Sequence, residues 1–186
     1  MKGKKLILFI AEVAIFTSLA LALDFVCGLY LSFAWLQGGS ISIAMVPIFI
    51  MCYRHGPKGG FLTALLTGTL QIFWGYLYHP VQVILDYPLA YVSCGVASLF
   101  FSLVKNNKGF MKHLYICLGI LCGCALRLTF ATISGCAFFE TPLWASIVYN
   151  GTYLLPSMAL CMVITCIAVE SLKNLLYEKF LKISQP

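Results

Sequence analysis

The sequence predicts an all-α membrane protein of six transmembrane helices with both termini on the cytoplasmic side, and three observations carry that prediction. The chain of 186 residues is 61% hydrophobic and only 10% charged, and its mean hydropathy of +0.95 lies far above that of soluble domains. Runs of about 20 apolar residues, the length a bilayer core demands, recur roughly six times with almost nothing left over. The cations, finally, fall almost entirely at the two ends of the chain and in the loops between alternate runs.

The first run, about 6–31, follows Met1-Lys2-Gly3-Lys4-Lys5. Its basic start is like that of a secretory leader, whose apolar core is only about 7–15 residues long. Here the run continues to Trp35, broken by Glu12 and Asp24 alone, so it reads as a retained span. Glu12, close to the inner interface, is expected to snorkel toward Lys4 or Lys5, and Asp24, near the outer end, to be solvated. The second run, about 41–53, would rise only about 20 Å as a helix. It is therefore short or tilted, or packed against protein instead of lipid. The third run spans about 61–78. The fourth, about 81–104, is opened by His79-Pro80, with proline suited to a first helical turn. The fifth and sixth cover about 113–138 and 144–170, and the polar tail from Lys179 to Pro186 is expected to fray. Together the six make a single integral membrane domain, 1–186.

Charge sets the orientation. Lys2, Lys4 and Lys5 precede the first span, Arg54 and Lys58 separate the second and third, Lys105, Lys108 and Lys112 separate the fourth and fifth, and Lys173, Lys179 and Lys182 follow the sixth. Of the twelve cations only Arg127 lies elsewhere, and the loops near 32–40, 78–81 and 139–143 hold none. Positive charge stays on the cytoplasmic side, so both termini are placed there. The net charge of +6 then reflects topology and anionic headgroups, with no nucleic acid implied.

Several function classes fall away. The composition excludes a soluble enzyme, and no G-x-x-x-x-G-K-[ST] stretch exists to cradle a nucleotide. Any energy for work must come from elsewhere. The nine cysteines sit in or beside apolar runs, as small hydrophobes do. Cys122-Gly123-Cys124 lacks the C-x-x-C redox spacing, and no Cys/His pattern suggests a metal. A membrane thiol–quinone oxidoreductase would need cysteine pairs at the outer loops, which hold none apart from Cys136 near the end of the fifth span. A stand-alone channel or facilitator is compatible with the composition.

Ionisable residues at membrane depth are costly and need a partner, a cavity or a ligand. Asp86 lies about six residues into the fourth span, hence about 9 Å deep. Arg127 and Asn150 also occupy the outer half, with Trp35, Trp74, Tyr76, Tyr78, Tyr87, Phe138, Phe139 and Trp144 near the same level. These aromatics read as an interfacial belt, as a ligand cage, or as both. Asp86 is either the ion-pair partner of Arg127 or the counter-ion of a cationic ligand, and Asn150 either bridges helices or contacts that ligand. On the first span Ala14, Ser18 and Ala22 form a small-residue stripe that permits close approach of another helix.

Further resemblance lies in specific blocks: Gln37-Gly38-Gly39-Ser40-Ile41-Ser42 with Met45-Val46-Pro47, Arg54-His55-Gly56, His79-Pro80-Val81-Gln82, and Leu85-Asp86-Tyr87-Pro88-Leu89-Ala90. Arg127 with Ser134-Gly135 and Phe138-Phe139, then Tyr149-Asn150-Gly151-Thr152-Tyr153-Leu154-Leu155-Pro156, complete the series. In order and over nearly the whole chain, these blocks resemble the thiamin-specific S-component of energy-coupling factor transporters, the vitamin-capture subunit of the bacterial cytoplasmic membrane. The resemblance implies a non-enzymatic binding subunit without a cofactor, seated on a coupling transmembrane subunit and two ATPases. It also implies a ligand set. Asp86 would face the cationic vitamin, followed by Tyr87, with Tyr76, Arg127, Phe139 and Asn150 around it. Ala14 and Ser18 would fall on the patch that docks the coupling subunit. At two positions this chain departs from the pattern, with Ala131 in place of a histidine and Ala145 in place of a tyrosine. The departures imply a larger cavity, and a ligand that is thiamin or a related pyrimidine or thiazole compound, with Trp144 beside Ala145 as a substitute aromatic face.

Overall fold

A computed structural model describes residues 2–31 and 39–184, with side chains from Gly3 to Leu31 and from Gly39 to Ser171. Trp35, Gln37 and Gly38, and the side chains of Lys2, Lys173, Lys179 and Lys182, lie outside the described set. All regular structure among the described residues is helical. Helix α1 is Lys2–Leu31 and α2 is Met45–Leu70, which runs into a 3-10 turn at Gln71–Trp74. Helix α3 spans Pro80–Asn106, α4 Gly109–Phe138 and α5 Leu143–Ser184. The polar tail expected to fray continues α5 as helix as far as Ser184. Four stretches are long and apolar enough to cross a bilayer, namely Gly3–Leu31, Pro80–Asn106, Gly109–Phe138 and Leu143–Ser171.

The predicted second span enters α2 at Met45, and the predicted third, 61–78, follows in the same helix to Leu70 and its 3-10 turn to Trp74, short of the predicted end. At Gly56 the backbone adopts φ 64° and ψ −152°, a region open essentially to glycine alone, and Pro57 follows with no N–H to continue the helical ladder. Met45 at the start of α2 and Gln71 just past its end line the same cavity, whereas a straight helix of this length would hold them nearly 40 Å apart, at about 1.5 Å per residue. The chain therefore reverses at Gly56. The first arm is packed against protein, because Ile48, Phe49, Met51 and Cys52 are fully buried. Of these, Ile48, Phe49 and Cys52 form the core with Tyr91, Ile116, Ile120, Cys94 and Cys161. Outward positions are apolar too: Ile7, Ile15 and Leu19 on α1, Leu99 and Leu103 on α3, and Leu118 and Leu121 on α4 are all exposed. An apolar exterior around a tightly packed interior is what lipid solvation selects.

At the cation-rich end, Glu12 corrects the expectation that it snorkels to a lysine. Its carboxylate accepts hydrogen bonds from Arg54 Nε at 2.6 Å and Nη2 at 2.5 Å, and lies 2.5 Å from His55 Nε2. The planar guanidinium fork matches both carboxylate oxygens, a geometry no lysine offers. This contact fastens α1 to the reversal at Gly56. A second ion pair, Lys112 to Glu170 at 2.8 Å, joins α4 and α5. The small-residue stripe of Ala14, Ser18 and Ala22 lies on the exposed side of α1, while Val13, Thr17 and Ala20 face inward. Four cysteines, Cys52, Cys94, Cys124 and Cys161, are core residues, and all nine are free thiols.

Candidate functional site

The site begins with an irregularity in α3. Leu85–Leu89 forms a π-helical turn in which the Ala90 N–H donates to the Leu85 carbonyl, five residues back. Pro88 has no N–H of its own, and the extra residue widens the turn that carries Asp86 and Tyr87, as insertions at functional sites often do. Helix α2 approaches this turn at backbone contact: a Cβ at Gly68 would lie 2.6 Å from the Tyr87 carbonyl oxygen. Only glycine fits there.

The start of α3 is fixed by a capping box. His79 Nδ1 accepts from the Val81 N–H at 3.2 Å, and Gln82 Oε1 accepts from the N–H groups of Tyr78 at 3.1 Å and His79 at 3.5 Å. His79 thus has the helix-start role expected of it. Gln82, only 1% exposed, turns its other end to the site and donates to Asp86 Oδ2 at 2.5 Å and to the Tyr76 carbonyl at 3.3 Å. The Tyr87 hydroxyl donates to that same carbonyl at 3.2 Å. Phe139, at the end of α4, packs against Tyr76 and Tyr78 with ring centroids 6.2 and 5.8 Å apart. Two helix ends and the loop between α2 and α3 thereby become one wall.

That wall bounds a cavity of about 590 Å³, within the range of small-molecule sites. Asp24 comes from the end of α1, Met45 and Gln71 from the two ends of α2, Asp86, Tyr87 and Tyr91 from early α3, Arg127 to Phe139 from late α4, and Ala145 to Ser157 from early α5. Every one of these lies at the end of the bundle opposite Lys4, Lys5, Arg54, Lys58, Lys105 and Lys112. Of the residues singled out in the sequence, Asp86, Tyr87, Tyr76, Arg127, Phe139 and Asn150 line the cavity together. Ala131 and Ala145 line it as well. Trp144 does not: it is 75% exposed, because successive residues on a helix point about 100° apart and Ala145 takes the inward direction. Trp74 supplies indole to the wall instead.

The polar side chains are not paired as the simplest reading supposed. No ion pair joins Asp86 to Arg127 among the described residues. The guanidinium lies over the Tyr91 ring, 4.1 Å from its centroid, a favourable cation–π arrangement. Ser134 lies beside Asp86 with its hydroxyl lacking a well-directed hydrogen bond. Asn150, 7% exposed, does bridge helices: Nδ2 donates to the Ser146 carbonyl at 2.9 Å and to Ala131 of α4 at 3.4 Å, while Oδ1 accepts from the Tyr153 hydroxyl at 2.6 Å. Asp24 corrects its expected solvated position. It sits in the cavity wall and accepts from Ser42 Oγ and the Tyr91 hydroxyl, each at 3.3 Å, and from Gln71 Nε2. The i, i+4 spacing from Asp86 is a local signal for Gln82, the i, i+3 spacing from Asn150 one for Tyr153, and a lone charge in an apolar run one for Asp24, but nothing local points to Gln71 or Tyr91.

A helical bundle that is apolar outside and holds a polar, aromatic-walled cavity of this size at one end has the architecture of a multi-pass membrane protein that holds a small solute. The chain belongs to the thiamine transporter protein family, whose model matches residues 10–177. It is 38% identical to the thiamine transporter ThiT of Bacillus subtilis (strain 168) over 190 residues, covering 95% of this chain and 97% of that one. ThiT of Lacticaseibacillus paracasei is 25% identical over 195 residues, covering 96% and 95%. The fold matches the solved structure of ThiT from Listeria monocytogenes with a TM-score of 0.76 at 24% identity, over 92% of this chain and 98% of the other.

Proposed function

We propose that this chain is the substrate-binding S-component of an energy-coupling factor importer in the bacterial cytoplasmic membrane, capturing thiamin from outside for uptake driven by ATPase partners. The observation that carries the proposal is the cavity, with Asp86 among aromatic faces, at the end remote from the cations. Under the positive-inside rule that end faces outward. The reversal at Gly56 supports counting the two arms of α2 as separate spans, six in all with the four long apolar stretches, and an even number of spans keeps both termini on one side. A thiazolium is cationic and aromatic, so a carboxylate and π-faces in a desolvated pocket satisfy both properties at once. Ala131 and Ala145 in the wall favour a second reading for the ligand itself, a bulkier pyrimidine or thiazole relative of thiamin.

The test is binding and transport by the same preparation. Detergent-purified protein should bind thiamin without ATP, and mass spectrometry of the small molecule that co-purifies should return thiamin or a close relative. In liposomes with no imposed ion gradient, accumulation should require the coupling subunit and both ATPases. Concentrative uptake by this chain alone would exclude the proposal.

The exposed stripe on α1 supports Ala14 and Ser18 as the surface that meets the coupling subunit, since small side chains let a partner helix approach closely. Ala14→Trp or Ser18→Trp should abolish assembly and uptake and leave thiamin binding within about 2-fold, because neither residue lines the cavity. Equal loss of binding in detergent would show that the stripe serves the fold.

A further inference from the structure

Away from the cavity, two thiols meet. Cys117 of α4 and Cys166 of α5 bring their sulfurs to 3.9 Å, in hydrogen-bond contact across 49 residues of chain, and no other two thiols are so placed among the described residues. A disulfide has its sulfurs about 2.05 Å apart, so roughly 2 Å of approach remains. Rotation about the Cα–Cβ bond of one cysteine sweeps its Sγ through an arc of that size. Both side chains are half-buried, whereas Cys52, Cys94, Cys124 and Cys161 are sealed in the core. The pair lies about one turn inside the Lys112–Glu170 ion pair, with Lys112 five residues before Cys117 and Glu170 four residues after Cys166. That ion pair holds the two helices in register at 2.8 Å, and the Glu170 side chain is 50% exposed. A half-exposed carboxylate belongs at the water boundary. The two thiols are therefore close to each other and close to the cation-rich interface.

We propose that Cys117 and Cys166 are an oxidative modification site, which a hydroperoxide converts to a disulfide stapling the inner parts of α4 and α5. One sulfur, as thiolate, attacks the terminal oxygen of the hydroperoxide. The O–O bond breaks, the leaving alkoxide or hydroxide takes up the proton that the thiol gave up, and a sulfenic acid remains. The second sulfur attacks the sulfenic sulfur, and its own proton departs with the displaced hydroxide as water. Two thiols are oxidised to one disulfide while one hydroperoxide is reduced to an alcohol or water. A dithiol reductant restores the thiols. In the orientation proposed above the pair lies on the cytoplasmic side, where thiols are kept reduced, so it rests as a dithiol and closes under oxidant. The cavity is remote from this chemistry: α4 first lines it at Arg127 and α5 last lines it at Ser157, roughly 14–15 Å along each helix from the pair.

The experiment treats the purified full-length protein with hydrogen peroxide or with cumene hydroperoxide and maps the products by mass spectrometry of unreduced digests. The expected product is a linked Cys117–Cys166 peptide that dithiothreitol separates, in a protein lighter by two hydrogens. Reaction with either reagent supports the site, and the faster of the two shows whether the route runs through water beside Glu170 or through lipid. The thermal midpoint of the oxidised protein should rise by about 5 °C, as a cross-link closing a loop of this length predicts, while thiamin affinity stays within about 2-fold. Cys117→Ser and Cys166→Ser should each abolish the linkage and the rise, and leave the surviving thiol to form a sulfenic acid that dimedone traps. Mapping of the wild type decides the matter even where a variant fails to fold. Sulfinic or sulfonic acid at either position without linkage, linkage of either thiol to another cysteine, or no reaction at either position would overturn the proposal. A linked protein with an unchanged or lower midpoint would overturn the staple.

Discussion

Asp86→Asn should cost the purified protein about 30- to 4,000-fold in thiamin affinity, because truncating one side of a desolvated charge pair typically costs about 2–5 kcal/mol. The substitution keeps the shape of the side chain and one oxygen to accept from Gln82 Nε2, the 2.5 Å contact that ties the π-turn to the loop before it. Local structure should therefore survive, and the melting temperature of the unliganded protein should move by only a few degrees. An uncharged analogue whose thiazolium is replaced by a neutral ring should lose less than about 5-fold. No ion pair joins Asp86 to Arg127 among the described residues, so a purely structural role for the carboxylate would act through Gln82, with Ser134 beside it. Near-equal losses for the charged and neutral ligands, measured side by side, would sink the counter-ion assignment.

At the other end of the bundle, Glu12→Gln should destabilise the fold by about 3 kcal/mol, the lower end of what breaking a buried ion pair costs. The side chains of Arg54 and Glu12 are only 12% and 14% exposed, so the guanidinium would keep its charge in poor solvent without the carboxylate that faces it. The same substitution loosens His55 and hence the anchoring of α1 against the Gly56 reversal. Thermal unfolding in detergent should show a clear fall in midpoint, while thiamin affinity below that midpoint stays within about 3-fold, since Glu12 does not line the cavity. An unchanged midpoint would mean that water or headgroups replace the carboxylate at little cost.

Much of the fold was legible because its determinants are additive along the chain. Hydropathy summed over about 20 residues marks a span whatever its neighbours are, and the alternation of lysine-rich and lysine-free loops is a count. The short second run, Ile41 to Tyr53, had too few residues for an ordinary span and so left open a short span, a tilted span or packing against protein; the burial of Ile48, Phe49 and Cys52 in the core decides for protein. The π-turn could be expected at no finer grain than a proline in the fourth span, since proline in a helix interior kinks, breaks or bulges it according to what packs opposite. Here the backbone of Gly68 packs opposite.

Site residues divided along the same line. Asp86, Tyr87, Tyr76, Phe139, Arg127 and Asn150 carry local signals, being polar groups at membrane depth or aromatics within recognisable blocks, and all six line one cavity. Trp144 carried the same kind of signal yet faces away, because adjacent residues on a helix differ by about 100° in direction and hydropathy averaged over a span does not resolve that rotation. The partners of the acidic residues were beyond the sequence for a different reason. Glu12 meets Arg54, and Asp24 meets Gln71 and Tyr91, only because separate helices cross at those heights. The sequence by itself determined that this chain dissolves in a bilayer, which of its loops share a side and which residues are too polar to face lipid. Tertiary structure alone decided which carboxylate meets a guanidinium and which is left in the cavity wall with neutral donors, since a carboxylate at membrane depth takes whatever partner the crossing of helices brings within reach.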